Sequence, residues 1–143
     1  MGVSVNSSAS RKKAQVGIEY LILVSVLLAI IIIGVSFAWL VYNNAIANSS
    51  MLDSVQNLKQ TANYVNALGP GSSLIAEINL PTGVLGGMAK KNSIDYNVQI
   101  GSGPWYYNAQ VDGNISETPL PTTAGGHRLR VSMVNGIIVI QEV

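Results

Sequence analysis

Between Val16 and Tyr42 the sequence is almost entirely apolar, and Glu19 is the only charged residue in it. The charge-free part, residues 20–41, would rise about 33 Å as an uninterrupted helix, enough to cross a bilayer core of about 30 Å. A buried core helix is the alternative, but the rest of the chain is too short to wrap a helix that is apolar on all sides. The block therefore predicts a transmembrane helix.

Beyond Tyr42 the pattern changes to the spacing of a helix with a single apolar stripe. The stripe comprises Ile46, Met51, Val55, Leu58, Ala62 and Val65. Gly69-Pro70-Gly71 predicts the end of this helix, because glycine is a favoured C-cap and proline cannot continue a helix. We therefore expect one long helix over residues 15–68, in which residues 43–68 are amphipathic and pack on a globular head.

Residues 69–143 are expected to form a β-rich head, because five segments have strand character. They are Leu74–Leu80, Ile94–Ile100, Trp105–Val111, Leu129–Met133 and Ile137–Ile140. Asn135-Gly136 predicts a type I′ hairpin turn between the last two segments. The final segment is apolar on both faces, which favours a central place in the sheet.

The glycines at 83, 86 and 87 and the pair Lys90-Lys91 are expected in loops and turns, and Asp112-Gly113 is expected to end the third strand. A sheet of this size is marginal alone and needs the amphipathic helix as its cover. The predicted fold class is therefore α+β, with a long N-terminal hydrophobic helix packed on a small C-terminal antiparallel β-sheet.

Composition narrows the functional classes. Charged residues make up 10% of the chain, against about 25% in ordinary soluble domains. The formal net charge of +1 gives no basic face for nucleic acid, which we exclude as a partner. With no cysteine and with His127 as the single histidine, there is no basis for a metal site, a cofactor site or a catalytic triad. We expect a protein that is not an enzyme, with His127 at the surface.

The residues that flank the apolar block predict its orientation. Arg11, Lys12 and Lys13 precede it, and no charge follows it until Asp53. By the positive-inside rule the N-terminus stays in the cytoplasm and the C-terminal part crosses to the outside. Ala45-Ile46-Ala47 resembles a signal-peptidase site, but the apolar region of a cleavable signal is typically about 7–15 residues, shorter than this block.

The segment from Arg11 to Leu23 combines a basic run, a small residue, a glutamine and, four positions later, a glutamate at the start of the apolar helix. It resembles the processing site of archaeal type IV pilins with a class III signal peptide. The resemblance covers residues 11–42, and it implies that a prepilin peptidase cuts between Ala14 and Gln15. Residues 1–14 would then be a leader, and the apolar helix would stay in the mature protein. Alanine stands at 14 where the family more often has glycine.

The resemblance also implies a function, that of a structural subunit of a pilus-like adhesive filament at the cell surface. Its subunits would associate with one another through residues 15–42, with a membrane platform and an ATPase as assembly partners. The precursor would lie in the cytoplasmic membrane with its N-terminus inside. Gln15 and Glu19 would act in assembly, because pairing Glu19 with the amine of a neighbouring N-terminus would offset much of the cost of burying its charge.

Removal of the leader would take away three basic side chains. The chain from Gln15 onward retains five basic residues against seven acidic ones, a net of two negative side-chain charges. The three lost charges are those that hold the precursor at the cytoplasmic face, so cleavage would also ease its extraction from the bilayer.

Two other classes stay open at this point. An archaellin, a motility filament subunit, usually has a larger head and lacks the Gln/Glu pair. A singly membrane-anchored extracellular β-domain, acting as a binding or accessory protein, would need no leader cleavage.

Three further sequence features concern the external part. Asn48-Ser49-Ser50 and Asn114-Ile115-Ser116 are candidate N-glycosylation sites, so a glycoprotein is expected. Trp105-Tyr106-Tyr107 is either an adhesive aromatic patch or a strand whose alternate rings pack in the core, and the second interpretation is favoured.

Overall fold

The computed structural model describes the chain from Ser7, with side chains from Gln15 onward. The leader predicted over residues 1–14, including Arg11, Lys12, Lys13 and Ala14, therefore lies outside the fully described residues. The chain divides into two compact units, with the boundary between Val41 and Tyr42.

Helix α1 spans Ser7–Leu68 and stops directly before the glycine-proline-glycine sequence. Gly69 has φ of 85°, a left-handed conformation that glycine adopts without steric cost. Its N–H donates to the Val65 carbonyl at 3.2 Å, and the Ser72 hydroxyl donates to the same carbonyl at 3.0 Å. These bonds satisfy carbonyls that the last helical turn would otherwise leave unpaired.

The second unit contains a five-stranded sheet with the strand order β1-β4-β5-β3-β2. Its strands are β1 (Ser73–Leu80), β2 (Val84–Ile100), β3 (Gly103–Pro119), β4 (Gly125–Val134) and β5 (Ile137–Glu142). The part of α1 within this unit packs on the sheet through residues 51–65, which confirms the predicted α+β fold class.

One strand pair departs from the prediction of an antiparallel sheet. β3 and β5 run parallel, with Ile115 opposite Ile138, while the other neighbouring strands are antiparallel. The reason lies in the connections. β4 runs antiparallel to β3, with one strand position between them in the sheet. β5 occupies that position and is antiparallel to β4 in their hairpin, so it runs parallel to β3.

β2 and β3 are each 17 residues long, much longer than predicted. The expectation of loops was wrong for Gly86-Gly87 and for Lys90-Lys91, which lie within β2, and Asp112-Gly113 lies within β3 instead of ending it. The register between the two strands shifts twice between Ala89 and Ser93. β2 is an edge strand, and a bulged edge accommodates glycine and lysine better than the interior of a sheet does.

The hairpin between β4 and β5 agrees with its sequence signal. Asn135 and Gly136 both have positive φ, 51° and 80°, as the two central residues of a type I′ turn require. β5 is the third of the five strands in the sheet. The central position predicted from its two apolar faces is confirmed.

The core lies between the sheet and the last part of α1. Five of the six predicted stripe residues are at most 4% exposed: Met51, Val55, Leu58, Ala62 and Val65. The prediction was wrong for Ile46, which is 49% exposed. A step of five residues turns about 140° around a helix, so Ile46 points away from the face that begins at Met51.

Candidate functional site

The apolar segment of α1 exposes its side chains all around the helix. Its large apolar residues, from Val16 to Val41, are each between 40% and 69% exposed. The mean hydropathy of an 18-residue window reaches 3.0, and none of that window is buried. By length and composition this helix can cross a membrane. Whatever surrounds the segment in the cell must be apolar, because so large an apolar surface is unfavourable in water.

The hydroxyl groups within this segment are satisfied locally. Ser25 Oγ donates to the Leu21 carbonyl at 2.7 Å, and Ser36 Oγ donates to the Ile32 carbonyl at 2.8 Å. Each bond joins a residue to the carbonyl four positions earlier in the same helix. The two serines therefore enter an apolar environment without leaving a hydroxyl donor unpaired.

Glu19 stands at one end of an apolar row. A shallow groove of about 470 Å³ runs from Glu19 along Ile22, Val26 and Ile30. Gln15 Nε2 donates to Glu19 Oε1 at 3.3 Å. The two predicted assembly residues thus lie one turn apart on the same face of the helix, with the carboxylate at one end of the groove.

In the second unit, polar side chains of α1 bond to the backbone of β1, which lies at one end of the sheet. Ser50 and Ser54 donate to the Asn79 carbonyl at 2.7 and 2.8 Å, and Asn57 Nδ2 donates to the Glu77 carbonyl at 2.7 Å. The positions 50, 54 and 57 form one helical row beside the apolar stripe. The side chains of this row donate hydrogen bonds to β1 carbonyls, as the backbone of a neighbouring strand would.

A second row of polar contacts joins α1 to β3. Asn63 donates to the Asp112 carboxylate at 3.0 Å and accepts from the Asp112 N–H at 2.9 Å, while Asn66 bonds to the Asp112 carbonyl. Gly113 follows, and a Cβ there would come within 2.9 to 3.1 Å of Asn66 and Ile138. The absence of a side chain at 113 therefore permits the close approach of helix and strand.

Sequence reasoning predicted only the apolar stripe and did not identify these polar rows. A detectable signal was the repetition of Ser and Asn at 50, 54, 57, 63 and 66, next to the apolar positions. Their partners at 77, 79 and 112 lie far away in the sequence and follow from no local pattern.

His127, which we predicted at the surface, is half-buried, with its side chain 11% exposed. Its Nδ1 lies 2.6 Å from Glu142 Oε1, and its Nε2 lies 2.8 Å from the Thr123 carbonyl oxygen. Both partners are acceptors, and only the protonated imidazole has two N–H donors. The bond to Glu142 and, next, the bond to Thr123 raise the pKa of His127, against a smaller opposing effect of burial.

The aromatic triplet does not pack as alternate rings in the core. Trp105 is 54% exposed and Tyr106 is 76% exposed, while Tyr107 packs partly against the core and bonds through its hydroxyl to Asn48 Oδ1. The favoured interpretation was therefore wrong for Trp105, and two rings of the triplet are available at the surface. Both candidate glycosylation sites, Asn48 and Asn114, are exposed, and the side chain of Asn48 is engaged by the Tyr107 hydroxyl.

Comparison with known proteins identifies no relative. No family model, no curated protein and no solved structure matches the chain.

Proposed function

We propose that the chain is a structural subunit of an adhesive cell-surface filament of the archaeal type IV pilus kind. The observation that carries the proposal is the apolar segment of α1, exposed on all sides, with Glu19 one turn after Gln15 at its start. A single membrane anchor needs only the apolar length. The proposal also gives a use to the basic run at 11–13, to the small residue Ala14 and to the acid placed inside the apolar block.

The proposed assembly begins with the precursor in the cytoplasmic membrane, oriented by Arg11, Lys12 and Lys13. A prepilin peptidase cuts between Ala14 and Gln15, which removes the basic anchor and creates an α-amine one helical turn from Glu19. Residues 15–42 then leave the lipid and enter a bundle of the same segments from other subunits. Contacts of this kind, which do not close into a ring, extend into a helical polymer.

The transfer from lipid to bundle has no large hydrophobic driving force, because both environments are apolar. Side-chain packing and polar pairing must then bias it. The groove that begins at Glu19 is suited to both, since it offers apolar contacts along Ile22, Val26 and Ile30 and a carboxylate at one end. In the proposed filament that carboxylate pairs with the N-terminal amine of a neighbour, and a membrane platform with its ATPase drives the step.

The N-terminus of the protein in the cell envelope tests this proposal. Sequencing of the envelope form is expected to give a start at Gln15, and electron microscopy of sheared material is expected to place the protein in filaments. A start at Met1 or Gly2 would instead identify a membrane-anchored surface domain, and a start at Asn48 a secreted one. Either of those results, or a Gln15 form that never occurs in filaments, would contradict the proposal.

A further inference from the structure

A cleft of about 430 Å³ opens beside the edge strand β2. One wall is the glycine-rich segment 86–88, and the remainder comes from two facing triplets, residues 95–97 of β2 and 106–108 of β3. Ligand sites typically have volumes of roughly 300–1,000 Å³ and combine aromatic walls with a few polar groups. The cleft has this size and composition.

Aromatic and amide side chains face each other across the two strands. Tyr106, 76% exposed, is the register partner of Asn97, and Asn108 is the partner of Asp95. The Asp95 carboxylate is already engaged, because Asn108 donates to one oxygen and Ser93 donates to the other at 3.2 Å. None of the described residues that line the cleft is basic. An anionic ligand would therefore meet no countercharge there.

Two polar atoms in the lining have no hydrogen-bond partner among the described residues. They are the buried Oη of Tyr96 and the buried Oδ1 of Asn97. A buried polar atom without a partner is unfavourable, and such atoms are few in native proteins. Burial and, second, the nearby Glu142 raise the pKa of Tyr96, so its hydroxyl keeps its proton at neutral pH. Neither atom is accessible at the surface of the cleft, so a ligand would reach them only after the lining side chains move.

We propose that this cleft binds a neutral saccharide. The exposed ring of Tyr106 suits the apolar C–H face of a sugar, since the face of an aromatic ring carries partial negative charge. The amides of Asn97 and Asn108 suit sugar hydroxyls, which both donate and accept. A peptide added as a strand fits less well, because the Gln99 N–H at this edge already donates to the Gly83 carbonyl at 2.7 Å.

A role of saccharide binding in adhesion rests on the proposed function. The binding itself needs only the cleft, whose residues all lie in the second unit of the chain. Binding is therefore measured on the unassembled full-length chain in a sugar-free zwitterionic detergent. Saturation-transfer NMR with a panel of neutral mono- and disaccharides detects binding, and titration gives the affinity. Sugars with carboxylate groups, a phenol and an extended peptide serve as competing ligand classes.

Two variants test whether the saccharide binds in the cleft. Tyr106→Ala removes the stacking surface, and Gly86→Leu adds a bulky side chain to the glycine-rich wall, at a position where a Cβ meets no atom within 4 Å. Each is expected to weaken saccharide binding about tenfold or more. The matched controls are Tyr64→Ala, another exposed tyrosine, and Gly126→Leu, another glycine with open space around it. These controls are expected to bind as the unmodified chain does.

The proposal is overturned if the unmodified chain binds no neutral sugar, or if it prefers an acidic sugar, the phenol or the peptide. Saccharide binding that survives both Tyr106→Ala and Gly86→Leu would also overturn it, because the site would then lie elsewhere. Since these measurements need no filament, an envelope form that begins at Met1 would remove the filament role and leave the saccharide result standing.

Discussion

The side chain of Ser54 forms two hydrogen bonds with the backbone of Asn79. Ser54 Oγ donates to the Asn79 carbonyl at 2.8 Å and accepts from the Asn79 N–H at 3.0 Å. One hydroxyl on the helix therefore satisfies both backbone groups of a residue in β1. Ser54 is only 4% exposed, so water cannot readily replace it.

We expect Ser54→Ala to lower the free energy of unfolding by about 1–2 kcal/mol, because it leaves the Asn79 N–H without its partner, while Ser50 still donates to the carbonyl. Thermal and urea unfolding followed by circular dichroism in detergent measure the change. Ser49→Ala is the control, since Ser49 is exposed on the same helix. Equal stability of the two variants would mean that the two hydrogen bonds between Ser54 and Asn79 contribute little to the free energy of unfolding.

Gly87 carries the second prediction, because its backbone lies against the ring of Tyr96. A Cβ at 87 would come 2.5 Å from Tyr96 Cε1, and Tyr96 is only 2% exposed. We expect Gly87→Ala to destabilise the protein by about 1–3 kcal/mol through overpacking. Gly86→Ala, at the neighbouring open position, is expected to have the stability of the original chain. Similar unfolding midpoints for both alanine variants would contradict this account.

His127 makes the stability of the protein depend on pH. Its pKa is raised in the folded protein, chiefly by the bond to Glu142. The extra stability is therefore fully present below the pKa of the unfolded chain, near 6.5, and is lost as the pH rises through the higher folded pKa. The effect is expected to be about 1 kcal/mol or less, because Glu142 is more than half exposed.

Urea unfolding at about pH 5.5 and at about pH 8.5 tests this expectation. The original chain should be more stable at the lower pH relative to His127→Gln, which cannot take up a proton. If both proteins have the same pH dependence, the interaction between His127 and Glu142 does not determine it. Glu142→Gln is a second check, because it removes the carboxylate and keeps the histidine.

Glu19 carries the fourth prediction, which concerns assembly. In the proposed filament, Glu19→Ala removes the pairing with a neighbouring N-terminal amine and is expected to reduce the yield of sheared filaments about tenfold or more, while the subunit still accumulates in the membrane. Glu117→Ala, an exposed acid on β3, is the matched control and should assemble normally. Normal filament yield from Glu19→Ala would exclude a role for this carboxylate in assembly.

Short-range patterns predicted much of this fold. The stripe from Met51 to Val65 specified the face that covers the sheet, and the Asn135-Gly136 turn and the doubly apolar β5 specified a hairpin with a central strand. Each of these features is encoded within a few residues, where local geometry leaves few alternatives.

Features that depend on distant partners were not predictable in the same way. The bonds of Ser54 to Asn79 and of His127 to Glu142 join residues 25 and 15 positions apart. The glycines and lysines of β2 were expected in loops, because nothing local indicates that a bulged edge strand will accommodate them. Only the assembled sheet brings Asn97 and Tyr106 together in one cleft.

A sheet with free edges is a template on which a second chain can add its own strand, and this is a common route to aggregation. Here helix side chains take up carbonyls along β1, and the Gly83 carbonyl takes up an amide of β2. A second copy that added a strand at these positions would first have to displace these hydrogen bonds. Such occupied positions disfavour amyloid-like association of neighbouring copies through their sheet edges.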